Sequence, residues 1–578
     1  MIQMPSQEPS PRWRPRFDLY IGLVVALSLF AVLPLAGPDY FLDAHDAQHT
    51  LFFLTEFDAA LRDGVWYPGW ATDQALGYGY PTFVLYPPLA YYTAALLHFL
   101  GASKLAAIKG VWMLATLGSG LAMYGYARHV MGRNRGLLAA LVYVYMPYHL
   151  ADIYVRADLA EYAAFVWMPL ALWSFHRLLE GVSLRRIGLA GLAYGALWLT
   201  HNLTALIFTP LLAGYALFRL WESSPTWKQR IRRAAVALGG GCLGLGVAAA
   251  LILPNLFERQ YIAQEQWVRA GYDYAQHFLQ PAYLLSGLWG YAPGSPGTEG
   301  GMSFQLGAVP LILAIVASLS SLGRPARERR LILFFAAGTL LLLFPMIPLS
   351  APLWEMVPIA ALVQFPWRLL ALTSVTLAVL SGFAVRPPKE LNGPVLILAL
   401  VAIVGSFSYT LPQYTPVPEI AEGPLLTIEF ELKYTDMRGM TAWTQEFPTD
   451  SPLVEQYRSG EPLVTAQALA PDAEIEMIRA GGASDELWVR SPSGTGLQFY
   501  TYYFPGWRVY VDGERLPDSA LRPEGPYGLL TVDVPSGERH VLLRWGDTPL
   551  RLVGKLLTVI CLIGALLLVL LKPSPGRP

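Results

Sequence analysis

Within the seven-residue stretch Asp43-Ala-His45-Asp46-Ala-Gln-His49 stand two carboxylates and two imidazoles, groups suited to taking up and releasing protons during catalysis. If a helix starts near Asp46, its carboxylate and His49 share one face at i, i+3. That spacing suits a general base with a neighbouring imidazole; the competing reading is a helix N-cap, which Asp also favours. A second cluster, Asp152, Arg156, Asp158 and Glu161, sets one cation among three carboxylates. It suits substrate binding, and equally an ion pair that fixes two helix ends. Gln364-Phe-Pro-Trp-Arg368 ends in a guanidinium that fits a lipid-linked phosphate or snorkels to headgroups. Glu258, Arg259, Glu265 and Arg269 read as a solvated loop, and His201 and Asn202 as helix-end caps or interhelical hydrogen-bonding groups. Trp66, Trp70, Tyr78, Tyr80, Phe83 and Tyr86 form an aromatic run that suits an interfacial belt, or sugar stacking by Trp70, Tyr80 and Tyr86. No Walker loop, dinucleotide fingerprint or HExxH motif is present, so nothing supports nucleotide-driven or zinc-protease chemistry, and no nucleic-acid partner is expected.

The elements that must position these groups follow from composition. Of 578 residues, 54% are hydrophobic and 14% charged, against roughly 25% charged in soluble domains. Apolar runs long enough to cross a bilayer recur from residue 18 to 410 and again at 552–571. Cys242 and Cys561 lie inside such runs and read as small buried hydrophobes, with no disulfide framework. The first run, 19–36, follows Arg12, Arg14 and Arg16. It exceeds a signal-peptide core, and Pro34 spoils a cleavage site, so it reads as an uncleaved span with a cytoplasmic N-terminus.

Loop charge fixes the remaining topology. If 83–100 crossed the membrane, the basic clusters after it would fall outside; as an interfacial helix, it leaves them all inside. Twelve spans result, at 19–36, 105–127, 136–150, 162–178, 187–201, 203–220, 234–254, 306–323, 331–348, 367–385, 394–411 and 552–571. Cytoplasmic loops then hold Arg128/Arg133/Arg135, Arg177/Arg185/Arg186, Lys228/Arg230/Arg232/Arg233, Arg324/Arg327/Arg329/Arg330 and Arg386/Lys389. Both termini, 1–18 and 572–578, are cytoplasmic, and the outer segments are 37–104, 151–161, 255–305, 349–366 and 412–551. The last of these alternates with period two at 507–511, 528–534 and 539–545 and carries an Asp512-Gly513 hairpin signal, so 412–551 reads as a mostly β, sandwich-like, extracytoplasmic domain before the final span.

The order of these features, with "GVWYPGW" at 64–70, "GYGYPTFVLYPPLAYY" at 77–92 and "YVRADLAEY" at 154–162, resembles polytopic bacterial proteins of the GT-C superfamily. More narrowly it resembles the 6-pyruvoyl-tetrahydropterin-synthase-related membrane family. "YYFPGWRVYVDGERL" at 502–516 and "VPSGERHVLLRW" at 534–545 are similar to the C-terminal domain of YfhO-type proteins of envelope glycosylation. The resemblance implies a plasma-membrane glycosyltransferase of inverting type that takes a sugar from a polyprenyl-phosphate donor among the membrane lipids. It places the loop carboxylate on Asp46, with Asp43 as competitor, and His49 beside it. Arg156 and Glu161 match the second loop, with His45, Asp158 and Arg368 as further binding candidates. Asp43 and Asp46 are not a DxD, so a divalent metal (Mg or Mn) on them stays an open alternative. The rivals are a flippase of lipid-linked saccharides, for which the Gly239-Gly240-Gly241 run would mark a broken helix, and a non-catalytic assembly protein.

Overall fold

The computed structural model describes residues 18–571 apart from 225, 268–269, 294–295, 387–390 and 392; Arg12, Arg14, Arg16, Arg269, Lys389 and both terminal tails therefore lie outside the described residues. Among the described residues, seven helices are long and apolar enough to cross a membrane: Leu19–Ala36, Lys104–Met131, Asn202–Ser223, Ala326–Met346, Pro366–Phe383, Gly393–Thr410 and Pro549–Leu570. Two bent pairs, Arg133–Val144 with Pro147–Arg156 (42°) and Trp227–Val247 with Ala249–Phe257 (77°), raise that number to nine. The chain is an integral membrane protein. The other three of the twelve predicted spans fall on Leu159–Glu180, Leu184–Thr200 and Ala308–Leu319. Leu159–Glu180 carries the most ionisable groups of these, Glu161, His176, Arg177 and Glu180, and most of it is buried among other helices. A helix shielded from lipid can carry such groups, because neighbouring helices satisfy them.

Position in the bundle follows the same logic. The most apolar stretch of Pro366–Phe383 is 94% buried and that of Pro549–Leu570 only 17%, so the former is central and the latter peripheral. The peripheral helix docks through small residues: a Cβ on Gly188 would stand 2.6 Å from the Ala565 carbonyl oxygen, and Gly554 faces Ala249 and Ala250. In the Gly239–Gly241 run only Gly240 meets neighbours, Leu178 and Ala190, and the helix Trp227–Val247 continues through it unbroken. Cys242 is exposed on the bundle surface instead of buried, as an apolar residue facing lipid can be, and Cys561 is half-buried.

The connections sort to two ends. At one end basic loops are tied together: Arg135 pairs with Glu328 (3.1 Å), Arg330 with Glu222 (3.2 Å) and His129 with Glu180 (2.8 Å). At the other, strand-like bridges join Tyr40 to Thr415 and Ile262 to Thr441, and the Tyr78 carbonyl accepts from the Tyr502 amide. Here 83–100 forms the short helix Leu89–Phe99 against Lys104–Met131, as its proline and tyrosine content predicts.

The β-sandwich is built of β1 (Ala466–Ala468), β2 (Glu474–Ala480), β3 (Ser484–Ser491), β4 (Thr495–Tyr502), β5 (Trp507–Val511), β6 (Glu514–Arg515), β7 (Arg522–Glu524), β8 (Leu529–Val534) and β9 (Gly537–Trp545). Its sheets run β1-β4-β8-β7 and β2-β3-β9-β5-β6, antiparallel throughout, with Val489, Phe499, Val509, Val532 and Val541 meeting inside. Asp512 and Gly513 both take positive φ (51° and 84°), the conformation of a primed hairpin turn that joins β5 to β6. Strands begin only at Ala466. Residues 412–465 instead carry helices Leu425–Lys433 and Pro452–Ser459, although the alternation in Thr427-Ile-Glu-Phe-Glu-Leu suggests a strand. The helix forms because Leu426 and Phe430 pack into the membrane-side core, Ile428 packs with Leu76 and Val454, and Glu431 accepts the Ala75 and Leu76 amides.

Candidate active site

Asp46 opens the helix Ala47–Arg62 but does not cap it: its carboxylate accepts no bond from that helix's amides, and its side chain is 42% exposed. Asp46 thus stands at the N-cap position without using its carboxylate there, and the carboxylate is reachable. Its backbone is pinned instead, with the Asp46 amide donating to the Arg156 carbonyl (2.7 Å) and the His45 amide to that of Val155 (3.1 Å). Thr50 Oγ1 lies 3.0 Å from both the Asp46 and Ala157 carbonyls. Two segments over a hundred residues apart are thereby clamped at Asp46.

His49 Nδ1 stands 3.8 Å from Asp46 Oδ1, and its ring is wedged against Phe52 and Phe430. His45 contacts the Tyr291 carbonyl through Nε2 (3.0 Å). Burial lowers the pKa of both imidazoles against the opposing pull of Asp46, so both stay neutral at pH 7. Asp43 is exposed and stands apart from this contact.

The second cluster forms a buried ion-pair network. Asp152–Arg156 forms a π-helical turn, a widening frequent at functional sites, and Asp152, Arg156, Asp158 and Glu161 are all buried. Arg156 binds Asp152, Asp158 (3.0 Å) and Glu161 (3.0 Å), donates to Tyr148 OH (3.1 Å), and lies over the Trp367 ring. Ala157, with φ of 55°, closes this turn in the left-handed region that a non-glycine residue adopts at a cost of about 1 kcal/mol or more. Asp158 also caps the following helix through the Glu161 amide (2.9 Å), and Arg156 holds its carboxyl below the usual range despite burial.

Arg368 closes the group from the far side of the sequence. Its Nε is 3.5 Å from Glu161 Oε2, and its Nη1 donates to Gln364 Oε1 (3.1 Å) and the Val363 carbonyl (3.0 Å). Gln364 also sits at positive φ (61°), so the turn that presents Arg368 is strained. Where Arg156 is committed to three carboxylates, Arg368 Nε stands at ion-pair distance from Glu161 Oε2 without a hydrogen bond, and Asp152 Oδ2 likewise has no hydrogen-bond partner among the described residues. Such unmet buried groups suit a bound polar substrate.

His201, read from sequence as a cap, belongs to this site. Extended backbone at His201 separates Leu184–Thr200 from Asn202–Ser223, its Nδ1 meets Thr204 Oγ1 (2.7 Å), and the ring lies with Asp158 and Glu161. Ligand atoms of those three residues fall within 4.8 Å of one another, whereas Asp43 and Asp46 form no such group among the described residues. A divalent cation on Asp158, Glu161 and His201 would have to displace the Arg156 guanidinium, which already forms ion pairs with both carboxylates. The donor set therefore fits Arg156 better than a metal.

Three aromatic candidates separate. Tyr86 packs on Phe53 and Tyr91 beside the site, in the field of Asp158 and Asp46. Trp70 is instead buried in the sandwich, 5.3 Å from Trp507 and 5.1 Å from Trp545 between ring centres. Gly79 (φ +75°) lets the chain lie on that indole, where a Cβ would clash at 2.2 Å. Tyr80 is buried, accepting from Trp267 Nε1 (3.1 Å). Neither ring is free to stack on a sugar. Glu258, expected in a solvated loop, is buried against Arg551 (2.6 Å) and Thr548, tying the end of Ala249–Phe257 to the final helix.

No curated protein matches the chain. Among solved structures it is similar to the arabinofuranosyltransferase AftD from Mycobacteria (TM-score 0.44, 14% identity, covering 75% of this chain and 31% of that one). It is also similar to the archaeal oligosaccharyltransferase AglB from Archaeoglobus fulgidus, solved with an inhibitory peptide and a dolichol-phosphate (0.40, 14%, 69% and 56%). The arabinosyltransferase EmbB from Mycobacterium smegmatis gives 0.35, 10%, 94% and 64%. The chain thus spans less than two thirds of each of these structures. Residues 86–256, which carry Arg156, Asp158, Glu161 and His201, match the family described as dolichyl-phosphate-mannose-protein mannosyltransferase.

Proposed function

We propose that this is a GT-C-type membrane glycosyltransferase that moves a sugar from a polyprenyl-phosphate carrier to an acceptor hydroxyl at the end of the bundle bearing the β-sandwich. The observation that carries the reading is the convergence of a reachable, uncapped Asp46 with the Arg156–Asp158–Glu161 cluster and a partly free Arg368. Support also comes from the mannosyltransferase family match over 86–256. Asp46 takes the acceptor's proton as its oxygen attacks the anomeric carbon, with neutral His49 beside it. The bond from that carbon to the phosphate oxygen breaks, and the charge left on the phosphate meets Arg368. Arg156 acts as a positioning residue, holding the carboxylates that aim Arg368. A single displacement of this kind inverts the anomeric centre. The β-sandwich and Asp46 lie outside the cytosol, and both termini inside, because the basic loops gather at the opposite end.

In proteoliposomes charged with a labelled polyprenyl-phosphate sugar, Asp46→Asn is expected to abolish transfer while insertion and thermal midpoint stay at wild-type values. Transfer that persists in this variant rules Asp46 out as the base. Movement of the donor across the bilayer without transfer favours a flippase.

A further inference from the structure

A groove of about 1220 Å³, separate from the candidate active site, opens where the sandwich meets the final helix. One wall is the outward face of β5 and β9. Arg508 and Tyr510 alternate there with the inward Trp507, Val509 and Val511. The opposite wall is formed by Phe257, Leu552 and Lys555, from the helices that enter the membrane.

The charges of this groove do not cancel. Each carboxylate along it has its own cation: Asp518 with Arg515 (2.6 Å), Asp547 with Lys555 (2.7 Å), and Glu258 with Arg551 (2.6 Å). Arg508 and Arg544 are left over. They stand directly opposite each other across the β5–β9 pair. Neither has an ion-pair partner among the described residues; Arg508 donates only to the Asp547 carbonyl (3.1 Å). Like charges in directly opposed cross-strand positions destabilise a sheet. Two guanidiniums kept side by side in a concave wall instead suit an anion that bridges them, and planar N–H forks match phosphate oxygens.

The groove's rim says what carries that phosphate. Phe257 is 57% exposed and Leu552 51%, and they continue onto the outward, apolar surface of Pro549–Leu570. Trp66, Tyr503 and Tyr510, also lining the groove, are residue types that settle at the headgroup level. We infer that this groove holds the headgroup of an anionic membrane phospholipid, its phosphate between Arg508 and Arg544 and its acyl chains along Phe257 and Leu552. The bound lipid would then fasten the β-sandwich to the bilayer surface.

The full-length protein, reconstituted in bilayers of equimolar phosphatidylglycerol and phosphatidylcholine and then released, is analysed for retained lipid by native mass spectrometry. Wild type is expected to retain phosphatidylglycerol in preference, and R508Q/R544Q to lose roughly fivefold of that preference for each charge removed. R490Q, which removes a guanidinium of the same sheet already paired with Glu538 and Glu476, is expected to change nothing. R508K/R544K, which keeps both charges, is expected to retain most of the preference. In phosphatidylcholine alone the thermal midpoint of R508Q/R544Q should equal or exceed that of wild type, since a repulsion has been removed; a purely structural pair would show a drop. Equal lipid retention by wild type and R508Q/R544Q overturns the proposal. So does loss of the preference when inorganic phosphate is added at matched ionic strength, which would mark a site for free anions instead.

Discussion

At the scale of single residues, division of labour between two guanidiniums governs the site. Arg156 is surrounded by Asp152, Asp158 and Glu161, so its charge holds three carboxylates together, while Arg368 meets only Glu161 and keeps an Nε without a hydrogen bond. Arg156→Met leaves those carboxylates buried and facing one another. It should lower stability by about 3–5 kcal/mol, the cost of removing one partner of a buried ion pair, read as a fall in thermal midpoint in detergent that Arg156→Lys partly restores. A second buried carboxyl behaves differently. Glu431 accepts the Ala75 (3.0 Å) and Leu76 (2.8 Å) amides, and burial pushes its pKa up from 4.5 to about 7. The folded protein therefore binds more protons than the unfolded chain between those values. Its contribution is complete below pH 4.5 and is lost as pH rises towards 7, by on the order of 3 kcal/mol. Glu431→Gln should flatten the pH dependence of the thermal midpoint in that window.

At the scale of elements, the loop before Leu89–Phe99 links the two halves of the molecule. Trp70 reaches from it into the sandwich and becomes part of that core, with Trp507 and Trp545 around it. An aromatic run near a membrane suggests sugar stacking or a lipid belt, and this residue does neither. Trp70→Ala should cost about 3–5 kcal/mol locally. Limited proteolysis should then cut within 412–465 at protease levels that leave wild type intact. If cleavage is unchanged, the indole does not hold the sandwich in place. The helix Leu425–Lys433 shows a related limit of pattern reading: six alternating residues fit a strand, yet burial of one side against the bundle and the amides at 75 and 76 decide for a helix.

At the scale of the whole molecule, the basic loops and the acidic, aromatic loops lie at opposite ends of the bundle. The proposed orientation predicts that a cysteine placed at residue 46, in a background without Cys242 and Cys561, reacts with an impermeant maleimide added outside intact cells. A cysteine at residue 329 should react only after the membrane is opened. The reverse pattern would place the candidate base in the cytosol and remove its access to an outward-facing lipid donor.

Much of this protein is written in the order of its residues alone. Long apolar runs report spans because lipid cannot satisfy exposed backbone, and Arg and Lys placement sorts the loops to two ends. The period-two stretches and Asp512-Gly513 announce the sandwich, and the Asp46 and Arg156 segments supply the residues of the candidate site. What the sequence leaves undecided is which groups meet. His201 stands at the helix junction that the sequence suggests, yet only packing sets it beside Asp158 and Glu161. Glu258 resembles a solvated loop and Trp70 a sugar platform until packing brings each to partners far along the chain. Burial and pairing are properties of contacts between distant segments, and no local pattern encodes them; only the assembled tertiary structure shows that Arg156 is fully occupied and that Arg368 is not.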